Sequence, residues 1–193
     1  TEAQREPGTY YKYNDVRVNV LAYSLLQVYR KSLPMVLKNY IMDPIGASDS
    51  WRWYGYENSW VNIDGLMVQS VSGGGHNGGG VFINSEDHAR FGLLYLNNGI
   101  WNDKRIISKD WIKKSITPSK TNPEYGYMWW INSEKGEDYA TSDWKNVPTN
   151  VYYGAGFGGN YIVIIPDENM IVVGRWLGRE TIGTFIQMIL ESK

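Results

Sequence analysis

The stretch that decides the fold is NYIVIIPDENMIVVGRW, residues 160–176. Two apolar, β-branched runs, 160–165 and 170–176, flank the sequence PDEN, which is typical of a turn. This pattern predicts an antiparallel β-hairpin. Residues 181–191 follow with isoleucines and a phenylalanine at helical spacing, which predicts a closing amphipathic helix.

Helical patterns dominate the chain before this hairpin. The first predicted helix, Val16–Tyr29, begins after Asn14-Asp15, which are good capping residues, and it places Leu21, Leu25 and Val28 on one face. Further helices are predicted at about 33–42, 86–97 and 108–115.

Two other segments complete the chain. Residues 48–72 are aromatic and irregular, and 125–131 read as a strand. Helices that precede antiparallel strands predict an α+β fold with segregated layers. We expect residues 1–120 to form part of a helical subdomain, and 121–193 to form the strands and the closing helix of a sandwich.

Composition excludes several classes of function. The 193 residues carry a net charge of -1, which argues against a general nucleic-acid binder. The absence of Cys excludes thiol catalysis, and 2 His are too few for most zinc sites, so neither a metal nor a cofactor is expected. No apolar run approaches the ~20 residues of a membrane span.

The segment PGTYYKYND, residues 7–15, admits two interpretations. It is a turn followed by a helix cap, or it places a tyrosine at a helix entrance for chemistry. The helix dipole and nearby cations can lower the pKa of such a tyrosine, which can then take a proton from a serine nucleophile.

The order of several motifs resembles that of one family. PGTYYKYND is followed by DPIG at 43–46, GGG at 78–80, SEDHARF at 85–91, YGYMWW at 125–130 and GAGFGGN at 154–160. Together they resemble serine β-lactamase and penicillin-binding-protein-like hydrolases, in the branch of class C β-lactamases, esterases and 6-aminohexanoate-dimer hydrolase. The resemblance implies a β-lactamase-like three-layer sandwich, with an antiparallel sheet flanked by helices and a helical subdomain, whose N-terminal part is missing here.

The resemblance also implies a Ser-Lys-Tyr mechanism. Tyr13 matches the family's catalytic tyrosine, and Asp15 stands where the family usually has Asn. Gly154-Ala155-Gly156 stands where Lys/His-Thr-Gly is expected, so these residues are the implied substrate-binding strand and only Gly156 matches. An ionised Asp15 accepts hydrogen bonds only, which suits anchoring the catalytic lysine. Without the charge, the strand favours simple esters or amides over β-lactams.

The nucleophile is the largest gap in the match. The family's Ser-x-x-Lys precedes the tyrosine motif, whereas the literal match here, SDWK at 142–145, follows it in loop-like sequence. We therefore expect the nucleophile on an upstream segment or a second chain, and this chain alone to be inactive. Family members are often exported, but the compartment of this protein stays open.

Two further residues are candidates for contact with a small ester or amide substrate. His76 lies in the glycine cluster 73–80, and Trp130 lies in the predicted strand.

Two other functions stay open. A non-catalytic, penicillin-recognising relative would lack Ser-x-x-Lys altogether, and a carbohydrate-binding module would be mostly β.

Overall fold

The structure is a computed structural model that describes residues 5–74, 78–133, 144 and 147–193. The chain forms two compact units. The central unit is Asn14–Ile106, and the C-terminal unit combines Thr1–Tyr13 with Ile107–Lys193. Within the described ranges, no helix is long and apolar enough to cross a membrane.

Outside residues 75–77, which the structure does not describe, the central unit contains three helices and two small antiparallel sheets. A π-helical turn, Lys38–Met42, directly extends the second helix. Strand β1 lies between β2 and β3, and β4 pairs with β5. The elements are α1 (Asp15–Tyr29), α2 (Leu33–Leu37), β1 (Arg52–Ile63), β2 (Leu66–Val71), β3 (Gly80–Phe82), α3 (Ser85–Leu96), β4 (Ile100–Trp101) and β5 (Lys104–Arg105).

Helix α1 confirms the first predicted helix. The Asn14 side chain accepts hydrogen bonds from the backbone N–H groups of Val16 and Arg17, and so caps the helix. Ala22 and Leu26 are its buried residues, and they join a core cluster with residues of α2, β1 and β2. The predicted face of Leu21, Leu25 and Val28 is exposed instead.

The segment 48–72 is not irregular, so this prediction was wrong. It forms the long hairpin β1–β2, in which Ile63 pairs with Leu66. Asp64 and Gly65 make the connection, both with positive φ, 52° and 88°. An Asp-Gly pair is the strongest short signal for a two-residue hairpin turn, and the aromatic content of the segment obscured it.

Helix α3 is tied to the preceding chain by a buried carboxylate. Asp87 accepts hydrogen bonds from the Ser48 backbone N–H (2.9 Å), the Ser48 hydroxyl (2.5 Å) and the Asn84 side-chain amide (2.7 Å). The Asn84 side chain also caps the helix, one residue earlier than predicted. Burial raises the pKa of Asp87, but hydrogen bonds from Ser48 and Asn84 and the charge of Arg90 outweigh it, so the pKa is lowered.

In its described residues, the C-terminal unit contains a four-stranded antiparallel sheet and two helices. Its strand order is β6-β7-β8-β9. The elements are α4 (Lys109–Ser115), β6 (Trp130–Ile131), β7 (Tyr152–Gly156), β8 (Asn160–Ile165), β9 (Met170–Gly174) and α5 (Arg179–Glu191).

The hairpin predicted from residues 160–176 is confirmed as β8–β9. A single turn of 3-10 helix, Pro166–Glu168, connects the strands, and Asn169 takes positive φ to close it. One face of the sheet packs against α5, the predicted closing helix, through Tyr153, Val163 and Ile186 among other buried residues. Burial of these apolar side chains is the main force that holds the sheet to the helix.

The predicted strand at 125–131 is correct only at its end. Residues 130–131 form β6, and Tyr125 makes an isolated bridge back to Trp130. Met128 has φ of 66°, and the Gly126 N–H donates to the Trp129 carbonyl at 2.9 Å, so the segment turns sharply. With helices and antiparallel sheets together, the fold is the expected mixed class and not the mostly β architecture of a carbohydrate-binding module.

Candidate active site

Tyr13 lies immediately before α1 and packs into an aromatic cluster of the C-terminal unit. Its ring stacks on Trp130, with centroids 6.1 Å apart at 26°, and meets Tyr125 edge-on at 6.2 Å. Tyr11 contacts Tyr125 from the same segment at 5.3 Å. We call Tyr11, Tyr13, Tyr125 and Trp130 the tyrosine cluster.

Two tyrosines of this cluster differ in what they can do chemically. Burial, with the neighbouring Tyr11 and Tyr13 phenols, raises the pKa of Tyr125 far above its usual value. Tyr125 therefore stays neutral, and its hydroxyl donates to the Met128 sulfur at 3.6 Å. Tyr13 is 46% exposed, so its side chain is open to a reactant. Among these two residues, only Tyr13 suits proton transfer with a substrate or a nucleophile.

The tyrosine cluster is joined to the predicted substrate-binding strand. Trp130 on β6 pairs with Tyr153 on β7, one residue before Gly154. Strand β6 pairs only with Tyr152 and Tyr153, so among the described residues no strand flanks 154–156 on that side. An unpaired strand edge presents backbone N–H groups that can donate to a developing oxyanion.

The three residues of this strand end differ in the space around them. A Cβ on Gly154 would lie 3.0 Å from the Ile162 side chain, whereas one on Gly156 would lie 3.4 Å from the Asn160 carbonyl. Ala155 and Gly156 are exposed. The strand end is thus open and carries neither a charge nor a hydroxyl, which leaves the backbone as its chemical group.

Asp15 falls on the other side of the boundary between the two units. It occupies the first turn of α1, where a carboxylate is stabilised by the positive end of the helix dipole. This placement is compatible with Asp, because an acidic side chain in the first turn of a helix stabilises the helix. Its role toward a catalytic lysine stays a prediction.

Other candidates fall outside the described residues. These are His76 and, in the literal SDWK match, Ser142, Asp143 and Lys145. Trp144 is described, and its buried ring stacks on Tyr153 at 4.5 Å. This tryptophan belongs to the core of the C-terminal unit.

Sequence reasoning singled out Tyr13 but missed Tyr11 and Tyr125, the two other tyrosines of the cluster. Tyr11 and Tyr13 are two residues apart, and in an extended segment this spacing puts both side chains on one side. That spacing was the available signal for a cluster rather than a lone tyrosine. Across the parts of the chain that the structure describes, no group of three or more His, Cys, Asp or Glu residues could hold a metal ion.

Solved structures of similar fold come from three bacteria. A candidate 6-aminohexanoate-dimer hydrolase of Bacillus anthracis is 20% identical, with a TM-score of 0.67 over 98% of this chain and 45% of that one. A beta-lactamase of Mycobacterium bovis is 16% identical, with a TM-score of 0.70 over 99% and 67% of the two chains. A candidate beta-lactamase of Bacteroides dorei is 13% identical, with a TM-score of 0.59 over 87% and 51%.

The three structures share only 13–20% of their residues with this chain. At such identities the structures establish the fold, and the chain spans less than half the length of the Bacillus anthracis protein. A comparison with curated protein sequences finds no match. The Beta-lactamase family model matches residues 1–174, from the segment of the tyrosine cluster to the end of β9. The resemblance seen in the motifs is thereby confirmed, and the chain belongs to the beta-lactamase family of hydrolases.

Proposed function

We propose that this chain is the C-terminal part of a serine hydrolase that cleaves carboxyl esters or amides through an acyl-serine intermediate. The observation that carries the proposal is the position of Tyr13. Its exposed phenol rests on Trp130, which pairs with strand β7 directly before the open strand end at 154–156. A proton-transfer group and a row of backbone donors in one unit are two of the three parts that acyl transfer requires.

The third part is the nucleophile, which we place upstream of these residues. The family's Ser-x-x-Lys precedes its tyrosine motif, and the solved relatives are longer than this chain. In the proposed reaction, Tyr13 begins as a phenolate, and the serine Oγ attacks the substrate carbonyl while its proton passes to the Tyr13 oxygen. The same proton then goes to the leaving alcohol or amine, and water releases the acyl group by the reverse route.

The remaining residues would support this proton transfer. The backbone N–H of Gly156 or its neighbours would donate to the oxyanion of the tetrahedral intermediate. Asp15 would anchor the lysine beside the serine by charge. His76 stays a candidate for contact with the substrate, whereas the buried Trp130 ring would act by supporting Tyr13.

The substrate class follows from what the strand end lacks. A lysine or histidine in the strand motif helps to hold the carboxylate of a β-lactam, whereas Gly154 and Ala155 offer no side-chain donor. Esters and simple amides need only the oxyanion donors, so they fit better.

The test compares two tyrosines in the natural full-length protein. Tyr10 and Tyr13 are both 46% exposed, so Tyr10→Phe is a matched control for Tyr13→Phe. With p-nitrophenyl acetate, we expect Tyr13→Phe to lower kcat by about 10²- to 10⁴-fold, the usual size of a general acid–base contribution. Tyr10→Phe should stay within about twofold of wild type, since a surface hydroxyl plays no part in the proton transfer.

A second measurement addresses the nucleophile. A fluorophosphonate should add to one serine of the full-length protein and to none in the 193-residue chain, and intact mass reports the adduct. If the 193-residue chain hydrolyses the ester, and Tyr13→Phe abolishes this rate, the nucleophile is not upstream. A full-length protein that neither labels nor turns over would be the non-catalytic relative.

A further inference from the structure

Trp176 combines backbone strain with high exposure. It directly follows Arg175 at the end of β9, has φ of 56° and is 78% exposed. A bulky side chain in the left-handed region is disfavoured, and an exposed indole gains little from burial to compensate. Strained, exposed residues of this kind concentrate at functional sites.

The hairpin between β7 and β8 is shaped to hold this indole. A Cβ on Gly158 would lie 2.5 Å from the Trp176 ring, and one on Gly159 would lie 1.9 Å from the Leu177 carbonyl oxygen. The Leu177 N–H donates to the Gly159 carbonyl at 3.1 Å. The six-membered ring of the indole therefore lies against Gly158, and Gly159 allows the adjoining Leu177 backbone to approach.

Hydrogen bonds from two polar side chains fix the hairpin backbone at a second exposed aromatic residue. Phe157 directly follows Gly156 and is 66% exposed. Its carbonyl accepts a hydrogen bond from the Asn160 amide at 2.7 Å, and Arg175 donates to the other side of that amide at 3.4 Å. The backbone at Phe157 is thus fixed, and two exposed aromatic residues lie next to the open end of the predicted acyl-site strand.

We propose that Trp176 and Phe157 form a subsite for the hydrocarbon part of the substrate, so that the enzyme prefers esters and amides with extended apolar acyl groups. This inference rests on the proposed function, because it takes Gly156 as part of the acyl site. A sugar ring could also stack on an indole, but it needs polar side chains for its hydroxyls. The polar side chains beside the indole, Asn160 and Arg175, are engaged with the hairpin backbone and with each other instead.

The first experiment measures binding to the 193-residue chain and needs no nucleophile. The indole N–H resonance of Trp176 is assigned by its loss in Trp176→Gly, a variant that accommodates positive φ and so preserves the hairpin. Titration with hexanoate should shift this resonance, whereas acetate should not, and the resonance of the exposed Trp60 in the central unit should stay in place. No shift with hexanoate, or a shift with methyl glucoside instead, would overturn the subsite.

The second experiment measures selectivity of the full-length protein. Full removal of one methylene from water raises kcat/KM by about fourfold. Contact with the indole alone supplies about half of that free energy, which corresponds to about twofold in kcat/KM for each methylene. The acyl group of p-nitrophenyl hexanoate has four more methylenes than that of p-nitrophenyl acetate. Trp176→Gly should therefore lower kcat/KM about 15-fold for the hexanoate ester and leave kcat/KM for the acetate ester nearly unchanged. Equal losses on both esters would mean a purely structural role. If wild type hydrolyses neither ester yet hexanoate shifts the indole, the proposed function fails and the subsite stands.

Discussion

Removing the Asp87 carboxylate should destabilise the central unit more than any exposed charge does. Asp87 is 2% exposed and accepts from both donors of Ser48 and from Asn84. In Asp87→Ala the donors of Ser48 and Asn84 lose this charged acceptor, but both residues are exposed, so water can partly replace it. Because Asn84 also has Ser48 as a partner, we expect a total loss of about 1.5–3 kcal/mol, the size of a hydrogen bond to a charged group.

Urea denaturation, followed by far-UV circular dichroism, measures this loss. For m of about 2 kcal/mol/M, the midpoint should fall by about 0.7–1.5 M. The neighbouring Glu86 is exposed in the same helical turn, so Glu86→Ala is the control and should cost about 1 kcal/mol or less. If Asp87→Ala also costs less than about 1 kcal/mol, the network does not hold α3 to the preceding chain.

The pH dependence of the same variants tests the electrostatic part. The folded pKa of Asp87 lies below its unfolded value, so its charge stabilises the fold above about pH 4, the unfolded value. This contribution is lost as the pH falls through the folded pKa. The stability difference between wild type and Asp87→Asn should therefore shrink below about pH 4. A difference that stays constant from pH 7 to pH 3 would refute the reasoning.

Two matched pairs test the backbone and the core. Gly159 and Gly65 both have positive φ, but only at Gly159 would a Cβ meet backbone, at 1.9 Å. Thermal unfolding should show that Gly65→Ala costs about 1 kcal/mol and Gly159→Ala at least about 3 kcal/mol, and similar losses would argue against the close approach. Leu26 is buried and Leu25 exposed on α1. Leu26→Ala should cost about 2–5 kcal/mol and Leu25→Ala below about 1 kcal/mol in urea, and the reverse order would place the other face of α1 in the core.

The sequence predicts most elements where one signal dominates. The β8–β9 hairpin follows from its two β-branched runs and the turn sequence between them. Helix α5 follows from helical spacing, and α1 follows from its cap and spacing. The buried face of α1, in contrast, was predicted wrongly. A helix with apolar residues on more than one side does not reveal which side is buried, and Ala22 with Leu26 gave a weaker pattern than Leu21, Leu25 and Val28.

The candidate site was predictable only in part, because it depends on contacts distant in sequence. Tyr13 could be singled out from its position before a helix. Its support by Trp130 and Tyr125 joins residues more than 100 positions apart, which local patterns do not report. The approach of Trp176 to Gly158 was equally hidden, since Gly158 lies in the connection between β7 and β8.

The interrupted course of the C-terminal unit has a consequence for biosynthesis. The central unit is contiguous, Asn14–Ile106, so it can fold while the ribosome is still making the rest. Tyr13 leaves the ribosome before it, but its ring partners Tyr125 and Trp130 emerge only afterwards. The segment that carries the candidate catalytic tyrosine is therefore synthesised a whole unit earlier than the two rings it packs against. Assembly of the tyrosine cluster is thus a late event, and the chemistry it supports becomes available only once the C-terminal sheet has formed.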